Sequence, residues 1–253
     1  MQADEFYYGR RQNISYGRTA QPSYSYTPLT QADFLDAQPT DEFMHGPRHA
    51  ADVAQLQGIF RQHYRGNPLV TILGNVKMIW DIDQLAQPAP DLAIVIGLES
   101  LEHELAYFDV QALGQRPRFI AEVLSPRFAQ LDLVEKLQIY AQAGVSEYFI
   151  IDSGERADNG ARHYRVLGYR LVKQAYEPIT PDQDGRVYSK VNRLWLLPNM
   201  AHDGFLAIGE RTGQPITPDA DSMTSVTAAR VEATFRATSI AAQLNFLRDD
   251  ESA

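Results

Sequence analysis

The chain has 253 residues, 44% of them apolar and 22% charged, with a formal net charge of −9 at pH 7. These fractions are ordinary for a globular protein, and the acidic balance argues against nucleic-acid binding through a broad basic face. The absence of cysteine excludes disulfides and thiolate metal sites, and no apolar run reaches the roughly 18 residues of a membrane-spanning helix. Because MQADE at the N-terminus also lacks the features of a signal peptide, we expect a cytoplasmic protein without membrane attachment.

Four segments differ in composition. Residues 1–38 are rich in Tyr, Gln, Ser, Thr and Pro and have little apolar periodicity, which is typical of a flexible, extended arm. Residues 39–198 contain the helix and strand patterns of one domain. A linker with scattered Gly and Pro over 199–221 then leads to an amphipathic helix over 222–249. This helix is expected either to pack on the domain or to pair with a second copy in a homodimer.

Helical and strand patterns alternate within the predicted domain. The helices are predicted over His49 to Tyr64 and Ala129 to Ala143 from their apolar spacing. Short β-branched or apolar runs predict the strands, which are VTILGNVKMIWDI, DLAIVIG, LAYFDV, PRFIAEVLS, SEYFIID, HYRVLGYRLV with a turn at Gly168, and VNRLWLLPN. PRFIAEVLS is almost wholly apolar, as in a central strand that is buried on both faces. The expected fold class is α/β, with a mixed sheet flanked by helices.

Two acids and a lysine stand out against these elements. Asp91 begins the DLAIVIG strand, Glu122 lies inside the apolar central strand, and Lys136 lies in the helix that follows. A carboxylate in a buried strand is unfavourable unless it has a partner. Mg²⁺ commonly takes one or two carboxylates, and the backbone carbonyl of Val123 could add a ligand. The pattern predicts Mg²⁺ or Mn²⁺ at Asp91 and Glu122, with Lys136 assisting a metal-activated water in phosphodiester hydrolysis.

Auxiliary roles are predicted for the same helix. Asp132, Lys136 and Tyr140 are spaced i, i+4, i+8 and share one helix face, so Asp132 could orient the lysine and Tyr140 could contact phosphate or pack below it. Each residue also has an ordinary interpretation taken alone. Asp91 could end a turn, Asp132 and Lys136 could form a surface ion pair, and Tyr140 could be a core aromatic residue.

Several other polar residues are weaker candidates. Glu42, which precedes the first helix, could be an outer metal group or a helix-start charge. His45 and His49 have the i, i+4 spacing of a metal pair, but the helix is expected to begin between them. Three arginines flank the Glu122 strand and could contact phosphate or be solvated loop charges: Arg116, Arg118 and Arg127.

The same residues carry a family resemblance. Pro90-Asp91, the EVLSP segment at 122–126, the D-x-x-x-K-x-x-x-Y pattern at 132–140 and AGVSEYFIID resemble the Uma-two family of predicted endonucleases. That family belongs to the PD-(D/E)xK restriction-endonuclease-like superfamily, and the resemblance covers residues 41 to 198. It implies a restriction-endonuclease-like fold with a divalent metal at Asp91 and Glu122. The superfamily's commonest pattern has its lysine two residues after the acid, where this chain has Leu124, so the resemblance assigns that role to Lys136.

Two functions of different classes are therefore expected. The first is a metal-dependent endonuclease acting on DNA, with RNA left open as a substrate. The alternative is a catalytically idle module of the same fold that binds nucleic acid or protein and dimerises through the terminal helix. The net charge of −9 and the lack of a basic stripe favour the alternative, whereas the intact Asp91, Glu122 and Lys136 set opposes it.

Overall fold

The computed structural model describes residues 6–16, 22–38, 40–99, 105, 107–154, 162–199 and 203–218. Besides a 3₁₀ helix at Ala32–Leu35 and a π-helical turn at Leu131–Glu135, the elements in chain order are β1 (Gly9–Tyr16), β2 (Pro22–Pro28), β3 (Asp41–Phe43), α1 (Pro47–His63), β4 (Val70–Leu73), β5 (Lys77–Ile79), β6 (Leu92–Ile96), β7 (Tyr107–Asp109), α2 (Val110–Leu113), β8 (Phe119–Val123), α3 (Lys136–Gln142), β9 (Glu147–Asp152), β10 (Arg165–Val172), β11 (Ala175–Pro178), β12 (Val187–Ser189), β13 (Leu194–Pro198) and β14 (Phe205–Gly209).

The central sheet has six strands in the order β11-β10-β9-β8-β6-β4. Strands β8 and β9 are parallel and the other neighbours are antiparallel, so the sheet is mixed. In the β6–β8 pair Leu92 lies opposite Ala121, which brings the beginning of β6 next to the end of β8. This architecture confirms the predicted α/β class.

Helices cover both faces of this sheet. Because alternate strand residues point to opposite faces, Leu92 and Ile94 pack towards α1 whereas Ala93 and Val95 pack towards α3. The small antiparallel sheet β12-β13-β14 completes the core on the α1 side. Burial of a large α1 side chain such as Phe60, which is 0% exposed, contributes roughly 1.5–3 kcal/mol. Among the described residues no helix is both long enough and apolar enough to cross a membrane.

The helices differ in detail from the prediction. Helix α1 begins at Pro47, two residues before the predicted start, because proline suits the first helical position, where no N–H partner is needed. The predicted helix over Ala129 to Ala143 is divided into the π-helical turn and α3. The backbone N–H of Lys136 donates to the carbonyl of Leu131, the five-residue spacing of a π-helix. Apolar periodicity does not distinguish this spacing from an α-helical one.

The prediction of a hairpin that turns at Gly168 was wrong. Strand β10 continues through this residue in register with β9, and the chain turns after Val172 into β11. Glycine is needed inside the strand for space rather than for a turn. A Cβ atom on Gly168 would lie 2.6 Å from Cγ1 of Val187 and 3.1 Å from the ring of Phe149.

The chain ends also differ from the prediction where they are described. Residues within 1–38, predicted as a flexible, extended arm, form β1 and β2, which assemble with β3 into a sheet of order β2-β1-β3. Strand β14 lies inside the predicted linker over 199–221 and pairs with β13. The predicted helix over 222–249, and the homodimer contact predicted for it, lie outside the described residues and stay predictions.

Replacement of Gly168 by alanine should destabilise the fold by about 1–3 kcal/mol, because the added methyl overlaps Val187 and Phe149. Gly204→Ala is the matched control, since a Cβ atom there meets nothing within 4 Å. Urea unfolding of both variants measures the effect. Equal stability of Gly168→Ala and Gly204→Ala would contradict this account of the packing.

Candidate active site

Asp91 and Glu122 meet where β6 begins and β8 ends. The backbone N–H of Val123 donates to Oδ2 of Asp91 at 2.8 Å, and the backbone N–H of Asp91 donates to Oε2 of Glu122 at 3.2 Å. Each carboxylate therefore satisfies a backbone donor on the other residue's strand. The antiparallel register of β6 and β8 fixes this reciprocal arrangement.

Lys136 lies between two carboxylates. Its Nζ atom is 2.9 Å from Oε1 of Glu122 and 2.9 Å from Oδ1 of Asp132, and the hydroxyl of Tyr140 donates to Oε1 of Glu122 at 2.7 Å. The two lysine contacts are close ion pairs without hydrogen-bond geometry. The structure thus brings together five of the residues singled out from the sequence: Asp91, Glu122, Asp132, Lys136 and Tyr140.

Burial of this cluster is nearly complete. The exposed fraction is 1% for Lys136, 2% for Glu122 and Asp132, and 7% for Asp91. Three carboxylates share this space with one ammonium and one imidazole, that of His49. Ionisation of all three carboxylates would therefore leave excess negative charge in a desolvated region, which is unfavourable.

The pKa values follow from this imbalance. Burial raises the pKa of Glu122 to about 8, with Lys136 opposing the rise and Asp91 reinforcing it. Burial also raises the pKa of Asp132, again against Lys136. For Asp91, burial alone would raise the pKa, but His49 and Lys136 outweigh it and lower the value to about 2. Burial would lower the pKa of Lys136, yet Asp132 and Glu122 raise it, so the amine stays protonated.

A histidine pair adjoins Asp91. Nε2 of His49 lies 3.5 Å from Oδ2 of Asp91, and its ring stacks on that of His45 with 4.0 Å between centroids and 10° between planes. Burial would lower the pKa of His49, but Asp91 raises it overall. Burial and then His49 lower the pKa of His45 to about 3. Sequence reasoning gave His49 little weight, although it continues the buried α1 face of Val53 and Leu56 at i, i+4, i+7 spacing.

Other predicted site residues have different partners. The carboxylate of Glu42 accepts a hydrogen bond from Arg10 at 2.8 Å. Arg127 donates to the backbone carbonyl of Tyr7. Arg116 and Arg118 line a cleft at the opposite end of β8. There Arg116 donates to Asp81 and Arg118 donates to the hydroxyl of Ser146.

Aromatic side chains, two of them from the segments before α1, cover the cluster. The ring of Phe34, from the 3₁₀ helix, lies 4.3 Å from Nζ of Lys136 and stacks on Phe128 at 4.1 Å between centroids. Phe43 of β3 contacts both phenyl rings edge-on. This arrangement was missed from the sequence, where the only signal was an apolar Phe34-Leu35 pair within a polar segment.

A family model described as "Putative restriction endonuclease", Uma2, matches residues 37–196, which is more than half of the chain. The chain belongs to the Uma2 family. The family resemblance inferred from the sequence is thereby confirmed, and no curated protein matches this member of the Uma2 family. The chain is similar to a crystal structure titled a putative nuclease belonging to DUF820 from Anabaena variabilis ATCC 29413, with 16% identity and a TM-score of 0.42, over 65% of this chain and 91% of that chain.

The donor set of this Uma2 family member fits a small divalent cation. Within the described residues no three His, Cys, Asp or Glu side chains are arranged to hold a metal together. Mg²⁺, however, commonly uses only one or two carboxylates, completed by carbonyls and waters. The N–H of Val123 faces Asp91, and the N–H and C=O of one strand residue point to the same edge, so its carbonyl faces Asp91 as well. A cation between Asp91 and Glu122 would also offset the excess buried negative charge.

Lys136→Met should lower the free energy of unfolding by about 3 kcal/mol or more, because the change leaves Glu122 and Asp132 buried without their shared cation. Lys190→Met is the matched control, since the side chain of Lys190 is exposed. Chemical denaturation at a pH above the pKa of Glu122, in the presence of a chelator, measures both variants. A loss no larger than in Lys190→Met would show that Lys136 does not balance the cluster.

Glu122→Gln should become progressively more stable relative to the wild type as pH rises from about 4.5 to about 8. In this window folded Glu122 keeps a proton that the unfolded chain releases, because its pKa is raised from 4.5 to about 8. The free energy of unfolding of the wild type therefore falls over this pH range. Glu122→Gln has no carboxyl group to titrate at this position and does not show this fall. Denaturation of both proteins without metal across this range tests the prediction, and a constant difference in stability would refute it.

Proposed function

We propose that the chain is a metal-dependent endonuclease that hydrolyses DNA phosphodiester bonds. Membership of the Uma2 family supports nuclease chemistry at the level of the family description. The observation that carries the proposal is that Asp91 meets Glu122 between adjacent strands, and that the ammonium of Lys136, from the following helix, contacts Glu122. This combination of charges serves ion binding and phosphate chemistry better than it serves stability.

The proposed metal ligands are the carboxylates of Asp91 and Glu122 and the carbonyl of Val123, with Mg²⁺ or Mn²⁺ as the ion. When bound, such an ion supplies a water of lowered pKa and positive charge for the scissile phosphate. The reciprocal hydrogen bonds of Asp91 and Glu122 to backbone donors hold both carboxylates in fixed positions. Tyr140 restrains Glu122 further through its hydroxyl group.

Lys136 is assigned to charge stabilisation. Its pKa is raised by Asp132 and Glu122, so the amine holds its proton at neutral pH and is poorly suited to removing one from water. The ammonium can instead neutralise the negative charge that develops on the phosphoryl oxygens. Asp132 is a positioning residue, since it contacts the ammonium at i−4 from the same helical segment.

One observation favours the alternative of a catalytically idle binding module. The cluster is almost wholly buried, and Phe34 occupies the space next to the ammonium of Lys136. A buried ionic cluster can be retained without catalysis, for the specificity that it gives to the fold. The two functions differ in whether the cluster takes up a divalent cation and supports turnover.

Cleavage of plasmid and single-stranded DNA should depend on Mg²⁺ or Mn²⁺ and should fall at least about 100-fold in Asp91→Asn and Glu122→Gln, which remove ligand charge with little change of shape. Glu210→Gln, at an exposed residue, is the matched control and should cleave as the wild type does. Calorimetric titration with Mn²⁺ gives a second measurement that does not depend on turnover. Manganese binding without cleavage of DNA or RNA would favour the binding module, and equal cleavage by all variants would reveal a contaminant.

A further inference from the structure

The 3₁₀ helix Ala32–Leu35, here termed the gate helix, covers one side of the candidate active site. Its Phe34 ring lies over Nζ of Lys136 at 4.3 Å and is stacked at 8° on Phe128, which is itself 0% exposed. A phosphodiester needs direct contact with the Asp91 and Glu122 region, where the exposed fractions are 7% and 2%. With Phe34 in this position, the two carboxylates offer a phosphate group almost no exposed surface.

The gate helix is weakly held. It has four residues, none of which is buried, and its apolar contacts are limited to the Phe34 ring and to Leu35, which packs against the core on the α3 side. Ion pairs hold its two ends. Asp33 pairs with Nη2 of Arg11 at 2.9 Å, and Asp36, directly after the helix, pairs with Nζ of Lys77 at 2.7 Å. Partly exposed ion pairs contribute modestly and are weakened by salt, so this segment can open without unfolding of the sheet.

The gate helix lies outside the part of the chain that matches the family model. The residues that match the Uma2 family model begin at residue 37, after the gate helix. Arg11, which holds the helix, lies on β1 and also binds the carboxylate of Asp41 through Nε at 2.6 Å. The gate helix and Arg11 therefore lie outside the residues that match the family model, whereas Lys77, the other ion-pair partner of this segment, lies within them.

We propose that the gate helix is an autoinhibitory gate that closes the active site through Phe34 and opens when the ion pairs of Asp33 and Asp36 break. On opening, the ring leaves the ammonium of Lys136, and a substrate phosphate takes its place as the partner of that cation. The gate rests on the proposed nuclease function for its consequence, but its motion does not require turnover. Loss of Arg11 should favour the open state.

Amide hydrogen exchange, without metal or DNA, tests the motion. In Arg11→Ala the amides of residues 33, 34 and 36, which close the turns of the gate helix, should exchange about tenfold faster than in the wild type. Amides of β9 should be unchanged. Arg186→Ala is the matched control, because Arg186 also bridges two aspartates, Asp182 and Asp184, in another part of the structure.

Cleavage assays on the same proteins, together with Phe34→Ala, test the consequence. Faster exchange with higher cleavage in Arg11→Ala and Phe34→Ala, but not in Arg186→Ala, would support the gate. Unchanged exchange in Arg11→Ala, or an equal increase in β9, would overturn the motion. Faster exchange with cleavage equal to that of an active wild type would overturn the blocking role. Faster exchange with no cleavage by any protein would refute the proposed hydrolysis and support the motion alone.

Discussion

The ion pairs of Lys136 with Glu122 and Asp132 are the constraint on which the candidate active site depends. The buried carboxylate of Glu122 on β8 is tolerated because the ammonium of Lys136, from the helix that packs on the same face of the sheet, lies 2.9 Å from it. The same ammonium holds Asp132, and the hydroxyl of Tyr140 satisfies Glu122 from one helical turn further on. The helix is thereby oriented on the sheet by polar contacts as well as by apolar packing.

The mixed sheet supplies the rest of the geometry. Strand alternation gives the α1 face to residues such as Leu92 and Ala121, which leaves Glu122 on the side of α3. Antiparallel pairing of β6 with β8 then places Asp91 beside Val123. A helix on each face excludes water, and this burial raises the pKa of Glu122, whereas at Asp91 the charges of His49 and Lys136 outweigh the same effect and lower the pKa.

Sequence reasoning identified the residues whose environment is encoded locally. Glu122 stands out because its neighbours in the chain are apolar, and Lys136 and Tyr140 follow from helical spacing. Contacts between distant segments carry no such signal, so the ring of Phe34 over Lys136 was missed. The turn assigned to Gly168 was wrong for a related reason, since its need for glycine comes from Val187, a residue on another strand. Glu42 was a candidate outer metal group or helix-start charge from its place before α1, but Arg10 of β1 binds its carboxylate.

The reciprocal hydrogen bonds between Asp91 and Glu122 also act as a check on strand register. A slip of one residue between β6 and β8 would turn the side chains of the slipped strand to the opposite face, which separates the two carboxylates and breaks both backbone contacts together. The site would then be lost completely rather than weakened. Chains of this protein should therefore have either the complete cluster or none, so a preparation would contain correctly paired and mispaired molecules rather than a range of distorted clusters.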